Sequence, residues 1–349
     1  MEALGFTGYT FNDSQCLGGD PYVAMMASAS ATSTLQLATS VTNPVTRHAS
    51  VTACAIASVQ GETKGRVTLG IGRGDSALAH LGLAPASVSE LERYLEQVQG
   101  YLRGEAVPFA PDTAGHAGSR GIASLGLVDA PTDSCLEWLR AEIPKVPVMV
   151  AATGPRVIGM AARLAEGVNF AVGADPARLA WAIATADAAR REAGLDPAGV
   201  VLGAYLSVIV DEDIARARGL VSGEVASFAR FSSMHGTPVG PATDEQRSVM
   251  ERLHDSYDMR HHFQHGSPQS AALTDEFIER YAVIGPPSQC IDRLQELADL
   301  GIRRFIISST PGGVDRTVTA LYRERFATEV LPHVSTAARS APRPPADAP

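Results

Sequence analysis

The sequence has few cysteines, and they lie far apart. Its 349 residues include four, Cys16, Cys54, Cys135 and Cys290, and no two of them form a CxxC pair. This spacing excludes the dense disulfide framework of a small secreted domain and provides no zinc-binding motif. We therefore expect reduced thiols, no metal site and a cytoplasmic location.

Lysine is also scarce, although arginine is not, and long apolar runs are absent. Lys64 and Lys145 are the only lysines, and the formal net charge is −9. Such a chain offers no basic patch to nucleic acid or to an anionic membrane surface. No apolar run could span a bilayer, and the N-terminus has no signal-peptide pattern. The expected partner is therefore a small molecule.

The sequence does contain a repeated alternation of β-branched apolar runs and helical patterns. Ser87 and Glu90 form a capping box at the start of one helix, and Pro155 opens another. This α/β alternation is typical of a (β/α)8 TIM-type barrel, or alternatively of an open doubly wound sheet. Strands are predicted at residues 6–11, 35–41, 66–72, 146–152, 167–173, 201–210 and 303–308, and helices at 22–32, 50–59, 88–103, 155–165, 177–193 and 288–300.

The seven predicted strands are one fewer than a closed barrel of this type uses. The first residues, MEALGF, resemble the end of a helix with Gly5 as its C-cap, so the first βα unit is expected to be missing at the N-terminus. Residues 1–334 are assigned to the barrel, with helical insertions at about 75–145 and 211–287 over its mouth. The Pro/Ala/Arg-rich residues 335–349 are expected to form a disordered tail.

Polar residues follow the predicted strands directly, where parallel α/β folds place their chemistry. Asp13, Ser14 and Cys16 come after the first strand, and Asp13 is a candidate acid or hydrogen-bonding anchor. An Asx turn or a helix N-cap at Asp13 is the alternative. The second strand, in LATSVTNP, ends in small hydroxyl side chains that include Ser40.

A glycine run follows the third strand, where GIGRGD places Gly72 and Gly74 beside Asp75. Glycines allow the backbone to approach a ligand closely, although a tight turn would explain them equally well. Asp75 stands where the dinucleotide fingerprint GxGxxG needs its third glycine, and no GK[ST] indicates a P-loop. The run therefore predicts a close backbone approach without identifying the ligand.

Thr153 and Gly154 precede Pro155 at the start of a predicted helix. Free backbone N–H groups and the helix dipole predict an anion-binding cup there, with an ordinary capped helix as the alternative. Residues 308–315, SSTPGGVD, are a second candidate for a phosphate loop.

Histidines are concentrated in the second insertion. HDSYDMRHHFQH has four, but it lacks the HExxH pattern and a compact set of carboxylates, so a polar lid helix is the preferred interpretation. His235 is a candidate for the substrate wall, together with Ser14 and Cys16. No GxSxG motif indicates a hydrolase.

The segments LATSVTNPVTRHASVTACAIASV, GRVTLGIGRGDSALAHLG and VAATGPRVIGMAARLAEGVNFAVG together resemble the bacterial luciferase-like superfamily of flavin- and deazaflavin-dependent oxidoreductases. They are most similar to the branch that uses the deazaflavin coenzyme F420, which includes methylenetetrahydromethanopterin reductases and glucose-6-phosphate dehydrogenases. The resemblance covers nearly the whole chain. It implies a (β/α)8 barrel with the coenzyme at the C-terminal mouth.

The resemblance also implies roles for particular residues. A non-prolyl cis peptide bond is expected between Ser40 and Val41, beneath the coenzyme ring. The acidic residue of the family falls on Asp75, and Gly72 and Gly74 would leave room for the coenzyme's chain. The coenzyme-phosphate loop falls on Ala151, Ala152, Thr153 and Gly154.

One position departs from the pattern of the sugar-phosphate dehydrogenases in this branch. Asp13 matches an acidic residue that contacts the coenzyme in those enzymes, where a catalytic histidine follows it. Here Ser14 follows, so the histidine of that mechanism has no counterpart at this position.

The implied function is hydride transfer between coenzyme F420 and a small organic substrate, with Asp75 and Asp13 as catalytic carboxylates. An FMN-dependent monooxygenase of the same superfamily is the alternative, because the barrel and the phosphate loop serve both cofactors. A non-catalytic flavin-binding paralogue is a second alternative. We expect a homodimer.

Overall fold

The computed structural model describes residues 1–109, 121–308 and 312–335. Each of the seven predicted strands contains an observed one, and the short β4, β5 and β9 are additions. The strands are β1 (Gly8–Phe11), β2 (Gln36–Thr39), β3 (Val67–Ile71), β4 (Val107–Pro108), β5 (Asp133–Ser134), β6 (Val148–Ala152), β7 (Gly167–Phe170), β8 (Val201–Val210), β9 (Val283–Gly285) and β10 (Arg304–Ser308).

The helices begin where the sequence provides caps. Ser87 and Glu90 form the predicted capping box, and Pro155 occupies the first turn of its helix. The helices are α1 (Pro21–Ala31), α2 (Ala49–Thr63), α3 (Ser76–Ala79), α4 (Val88–Leu102), α5 (Pro155–Leu164), α6 (Pro176–Glu192), α7 (Ile214–Ser232), α8 (Asp244–Ser256), α9 (Asp275–Tyr281), α10 (Pro287–Asp299) and α11 (Arg316–Glu329). None of these helices is both long and apolar enough to cross a membrane.

The main sheet is parallel and curls in the order β1-β2-β3-β6-β7-β8-β10, with β9 paired to the end of β8. Within the described residues β1 pairs only with β2, and β10 pairs only with β8. Among the described strands the barrel is therefore open at a seam between β1 and β10. Gly5 adopts the predicted left-handed C-cap, with φ of 80°, after the 3-10 helix Glu2–Leu4.

Alternate residues of β8 serve two different cores. On β8, Leu202, Ala204 and Leu206 point outward into the main core between the sheet and the helices. Tyr205 and Ile209 point the other way, into a second cluster shared with α7, α8 and α9. The second cluster joins the inside of the barrel mouth to the insertion at 211–287.

The two insertions differ from their predictions in detail. The first holds α3, α4 and the β4–β5 pair, and its Gly/Pro-rich loop at 104–121 lies largely outside the described residues. The second is mostly helical, but α8 ends at Ser256, and the histidine-rich segment after it forms a 3-10 turn at Met259–His261. That segment is therefore not a lid helix. The predicted tail, apart from Ser335, also lies outside the described residues.

Candidate active site at the barrel mouth

The carboxyl ends of β2, β3 and β6 meet in a small apolar wall. The peptide bond between Ser40 and Val41 is cis, as expected. A Cβ placed on Gly72 would lie 3.1 Å from Val41 Cγ2 and 3.6 Å from the Ala151 side chain. Three predicted cofactor residues from three strands are thus in contact. The Ser40 hydroxyl lies 3.5 Å from the Tyr205 hydroxyl of β8.

The glycines of this region are needed by the protein's own packing. A Cβ on Gly70 would lie 2.0 Å from the Thr39 carbonyl oxygen, so the two strands approach too closely for any side chain. Gly74 has φ of +85° and lies against Leu78. Packing within the protein is therefore enough to explain why Gly72 and Gly74 are glycines. The expectation that they leave room for a coenzyme chain stays a prediction.

Asp13 is buried and connects two strand-end loops. It accepts a 2.6 Å hydrogen bond from the Thr42 hydroxyl and a 2.5 Å bond from Arg47. The Arg47 guanidinium also lies 4.9 Å from the centre of the Tyr22 ring. Burial raises the pKa of Tyr22 to about 12. Asp13 is thus not the N-cap of α1, because Asp20 caps that helix. It is also not a free acid, because Thr42 and Arg47 engage its carboxylate.

Asp75 lies at the mouth between the strand ends and the insertion. One of its oxygens, Oδ1, accepts a hydrogen bond from Arg230 of α7. The other, Oδ2, is 3.8 Å from Nε2 of His262. The Ser14 hydroxyl contacts the Ser76 hydroxyl beside it, at 3.0 Å. The ion pair with Arg230 thus links the loop after β3 to α7.

His262 is the main site residue that the sequence did not identify. Its side chain is 7% exposed, and its Nδ1 lies 2.6 Å from the Tyr257 hydroxyl. Burial lowers the pKa of His262 to about 4, against an opposing effect of the Asp75 carboxylate. The imidazole is therefore neutral at pH 7. The sequence signal that could have indicated a buried His262 is the pair of aromatic residues near it, Tyr257 and Phe263. They lie in a segment that was interpreted as polar.

The start of α5, where the anion cup was predicted, has an open N-terminus. Gly154 is the N-cap, makes no side-chain capping bond, and has open space where a Cβ would lie. The first backbone N–H groups of the helix therefore remain available to an anion. Thr153 is held beside them by a 3.3 Å bond from its hydroxyl to the Ala171 carbonyl oxygen, whereas Ala152 is buried in the core.

The remaining candidates lie at the edge of this region. His235 is exposed, with its Nε2 3.4 Å from Nη1 of Arg73 in the glycine run, which places it on the rim of the mouth. Cys16 is an exposed free thiol beyond Ser14. Residues 309–311 of the second candidate phosphate loop lie outside the described residues.

Comparison with known proteins identifies the family of the chain. A family model described as luciferase-like monooxygenase matches residues 1–304. The chain belongs to the luciferase-like family. It is thus an oxidoreductase of the luciferase-like type.

Two curated relatives of this chain are a reductase and a dehydrogenase. A 5,10-methylenetetrahydromethanopterin reductase of Methanolobus tindarius is 25% identical over 300 residues, 84% of this chain and 83% of that protein. An F420-dependent glucose-6-phosphate dehydrogenase of Beutenbergia cavernae is 27% identical over 320 residues, 88% of this chain and 81% of that protein.

A solved structure shares the fold. The coenzyme F420-dependent tetrahydromethanopterin reductase of Methanopyrus kandleri superposes with a TM-score of 0.69 at 21% identity, covering 96% of this chain and 93% of that one.

Proposed function

We propose that this luciferase-like oxidoreductase transfers a hydride between coenzyme F420 and a small organic substrate held at the barrel mouth. The observation that carries the proposal is the pairing of a small apolar wall, Val41, Gly72 and Ala151, with an open helix N-terminus at Gly154. One of the curated relatives described above, the glucose-6-phosphate dehydrogenase of Beutenbergia cavernae, is named for F420 chemistry, which supports this coenzyme over FMN.

The residues present fit a planar ring that carries a phosphate. The wall has no bulky side chain to obstruct a ring face, and two of its members, Val41 and Ala151, pack against the second hydrophobic cluster. The N-terminus of α5 supplies unpaired N–H groups and a favourable dipole for the phosphate. When bound, the deazaflavin supplies two-electron hydride chemistry, and the protein supplies binding, orientation and proton handling.

The protein's own residues divide these tasks. Thr153 and Gly154 would hold the phosphate, and Ser40 and Val41 would contact the ring. Arg230 holds the Asp75 side chain in place through an ion pair at the opposite side of the mouth. Aromatic side chains of the insertion, where Phe228 meets Phe231 and Phe263 edge-on at 6.0 and 5.1 Å, would exclude water from the substrate. A homodimer and a cytoplasmic location are part of this proposal.

Fluorescence titration of the purified chain with coenzyme F420 and, separately, with FMN tests the proposal. We expect saturable binding of F420 and much weaker binding of FMN. The reverse order would favour the FMN-dependent monooxygenase, and binding of neither would favour a non-catalytic paralogue.

A variant separates binding from chemistry. Asp75→Asn is expected to retain F420 binding while turnover falls by about 100-fold, the usual scale for losing a charged group of a proton-transfer site. Unchanged turnover would contradict the role of Asp75.

A further inference from the structure

Two arginines on the rim of the mouth have no carboxylate partner. Arg73 follows the wall residue Gly72, and Arg156 lies in the first turn of α5. Neither forms an ion pair within the part of the chain that the structure describes, whereas Arg47 and Arg230 elsewhere at the mouth are each paired with an aspartate. In a chain with a formal net charge of −9, two unpaired guanidiniums at one place need an explanation.

The sheet brings these two side chains to the same edge. β3 and β6 are paired neighbours, with Ile71 opposite Val150, and each arginine lies shortly beyond its own strand. Burial lowers the pKa of Arg73, and the positive charge of Arg156 lowers it further. The two guanidiniums are therefore close enough to repel one another, and an anion beside both of them would relieve that repulsion.

Arg73 is fixed in place and still has an unused donor group. Its Nε donates to the Ala86 carbonyl oxygen at 2.5 Å, and its Nη1 lies 3.4 Å from Nε2 of His235. Its Nη2 makes no hydrogen bond to any residue that the structure describes. The charge of Glu90 raises the pKa of Arg73, but Oε2 of Glu90 accepts the Ser87 N–H at 2.6 Å in the capping box. The Nη2 edge of Arg73 thus remains available to a ligand.

The position of the pair indicates which anion it would meet. The open N-terminus of α5, to which the coenzyme phosphate is assigned above, directly precedes Arg156. Gly72, which precedes Arg73, lies against Ala151 of the same phosphate loop. The two arginines therefore flank the phosphate position on the rim of the mouth. In coenzyme F420 the phosphate is followed by a lactyl group and a chain of glutamates with free carboxylates, whereas FMN ends at its phosphate.

We propose that Arg73 and Arg156 bind the carboxylates of the glutamate chain of coenzyme F420. This inference rests on the proposed function. The pair adds affinity at a distance from the reacting ring, and it distinguishes the complete deazaflavin coenzyme from FMN by charge. The phosphate or carboxylate of an anionic substrate has the same chemistry and is the other possible source of the anion.

Fluorescence titration with two forms of the coenzyme, one without glutamates and one with several, tests the proposal. We expect the wild-type chain to bind the form with glutamates about 10-fold more tightly, which is the scale of two partly exposed ion pairs. This affinity ratio should shrink at about 0.5 M KCl, because salt screens charges that are exposed to solvent.

Variants of the two arginines assign the effect to this site. Arg156→Gln is the cleaner single variant, because Arg156 is exposed, whereas Arg73→Gln also removes the bond to Ala86. Each should lower the affinity ratio, and the double variant should abolish it. Arg156→Lys keeps the charge and should retain most of the ratio. Arg191→Gln is the matched control, since Arg191 is exposed in the last turn of α6, and it should leave the ratio unchanged.

The outcomes separate this proposal from the proposed function. Equal binding of the two forms by the wild-type chain, or a ratio that the double variant leaves unchanged, would overturn the role of the two arginines alone. Equal binding together with binding of inorganic phosphate that the double variant abolishes would assign the pair to an anionic substrate instead. Failure of both forms to bind would overturn the proposed function, and this inference with it.

Discussion

The two sides of the barrel mouth are built in different ways. The strand-end side, from β2, β3 and β6, consists of backbone and small residues such as Val41, Gly72 and Ala151. The insertion side, from α7 and the segment after α8, consists of charged and aromatic side chains, among them Arg230 and His262. The strand-end side is suited to bind a ring and a phosphate. The insertion side is suited to bind a substrate and to transfer a proton.

The difference indicates how one barrel can serve many reactions. The strand ends are constrained by the sheet, since Gly70 and Gly74 have no space for other side chains. The insertion presents long side chains to the mouth from outside the curled sheet, and those that face the mouth can change without disturbing the strands. We therefore expect cofactor binding to depend on the first side and substrate choice on the second.

The largest expected effect on stability comes from removing a side chain that links α6 to the insertion. Arg178 of α6 is fully buried and donates to the carbonyl oxygens of Val172, Val239 and Pro241 and to the Ser232 hydroxyl, at 2.7 to 3.2 Å. Arg178→Met would leave these acceptors without a donor and lower the free energy of unfolding by about 4 kcal/mol. Chemical denaturation measures the change.

The control for this variant is Arg191→Met on the same helix. Arg191 is exposed and has one ion pair at 3.9 Å, so its loss should cost less than about 0.5 kcal/mol. Equal effects of the two substitutions would show that Arg178 does not anchor the insertion.

A smaller effect on stability is expected when the pH is lowered, and it arises from His262 on the insertion side. His262 has a pKa near 4 in the folded chain against an ordinary value of 6.5, so the unfolded chain binds more protons between these values. Stability conferred by the neutral ring is therefore lost as pH falls from 6.5 towards 4, by at most about 3 kcal/mol. Denaturation of wild type and His262→Gln at several pH values measures it, and identical pH dependence in both would contradict it.

The smallest expected effect on stability comes from replacing one glycine on the strand-end side and one on the insertion side. Gly70→Ala would force a Cβ to within 2.0 Å of the Thr39 carbonyl oxygen and should destabilise the strand-end side by about 2 kcal/mol. Gly219 lies in α7 with open space around it, so Gly219→Ala should stabilise the chain by about 0.5 to 1 kcal/mol. Thermal unfolding should thus shift in opposite directions, and shifts of the same sign would contradict this contrast.

The strand-end side could be predicted from the sequence because its signals are local. Apolar alternation located the strands, and the residues directly after them, such as Ser40, Asp75 and Gly154, had to meet at one edge of a parallel sheet. The insertion side could not be predicted in the same way. Arg230 and His262 reach Asp75 from more than 150 positions along the chain, and only tertiary packing brings them together.

A local pattern also misled the prediction for the histidine-rich segment. Its four histidines indicated a solvated lid helix, whereas the chain leaves α8 at Ser256 and buries His262 between Tyr257 and Phe263. The short β9 was missed because its three residues give too brief an apolar run to stand out.

The most direct test of the central claim is a crystal structure of the chain with coenzyme F420. The account predicts the ring against Ser40 and Val41, the phosphate at the N–H groups that follow Gly154, and His262 across the mouth from the ring. A coenzyme bound elsewhere, with this wall and this helix end uncovered, would contradict it.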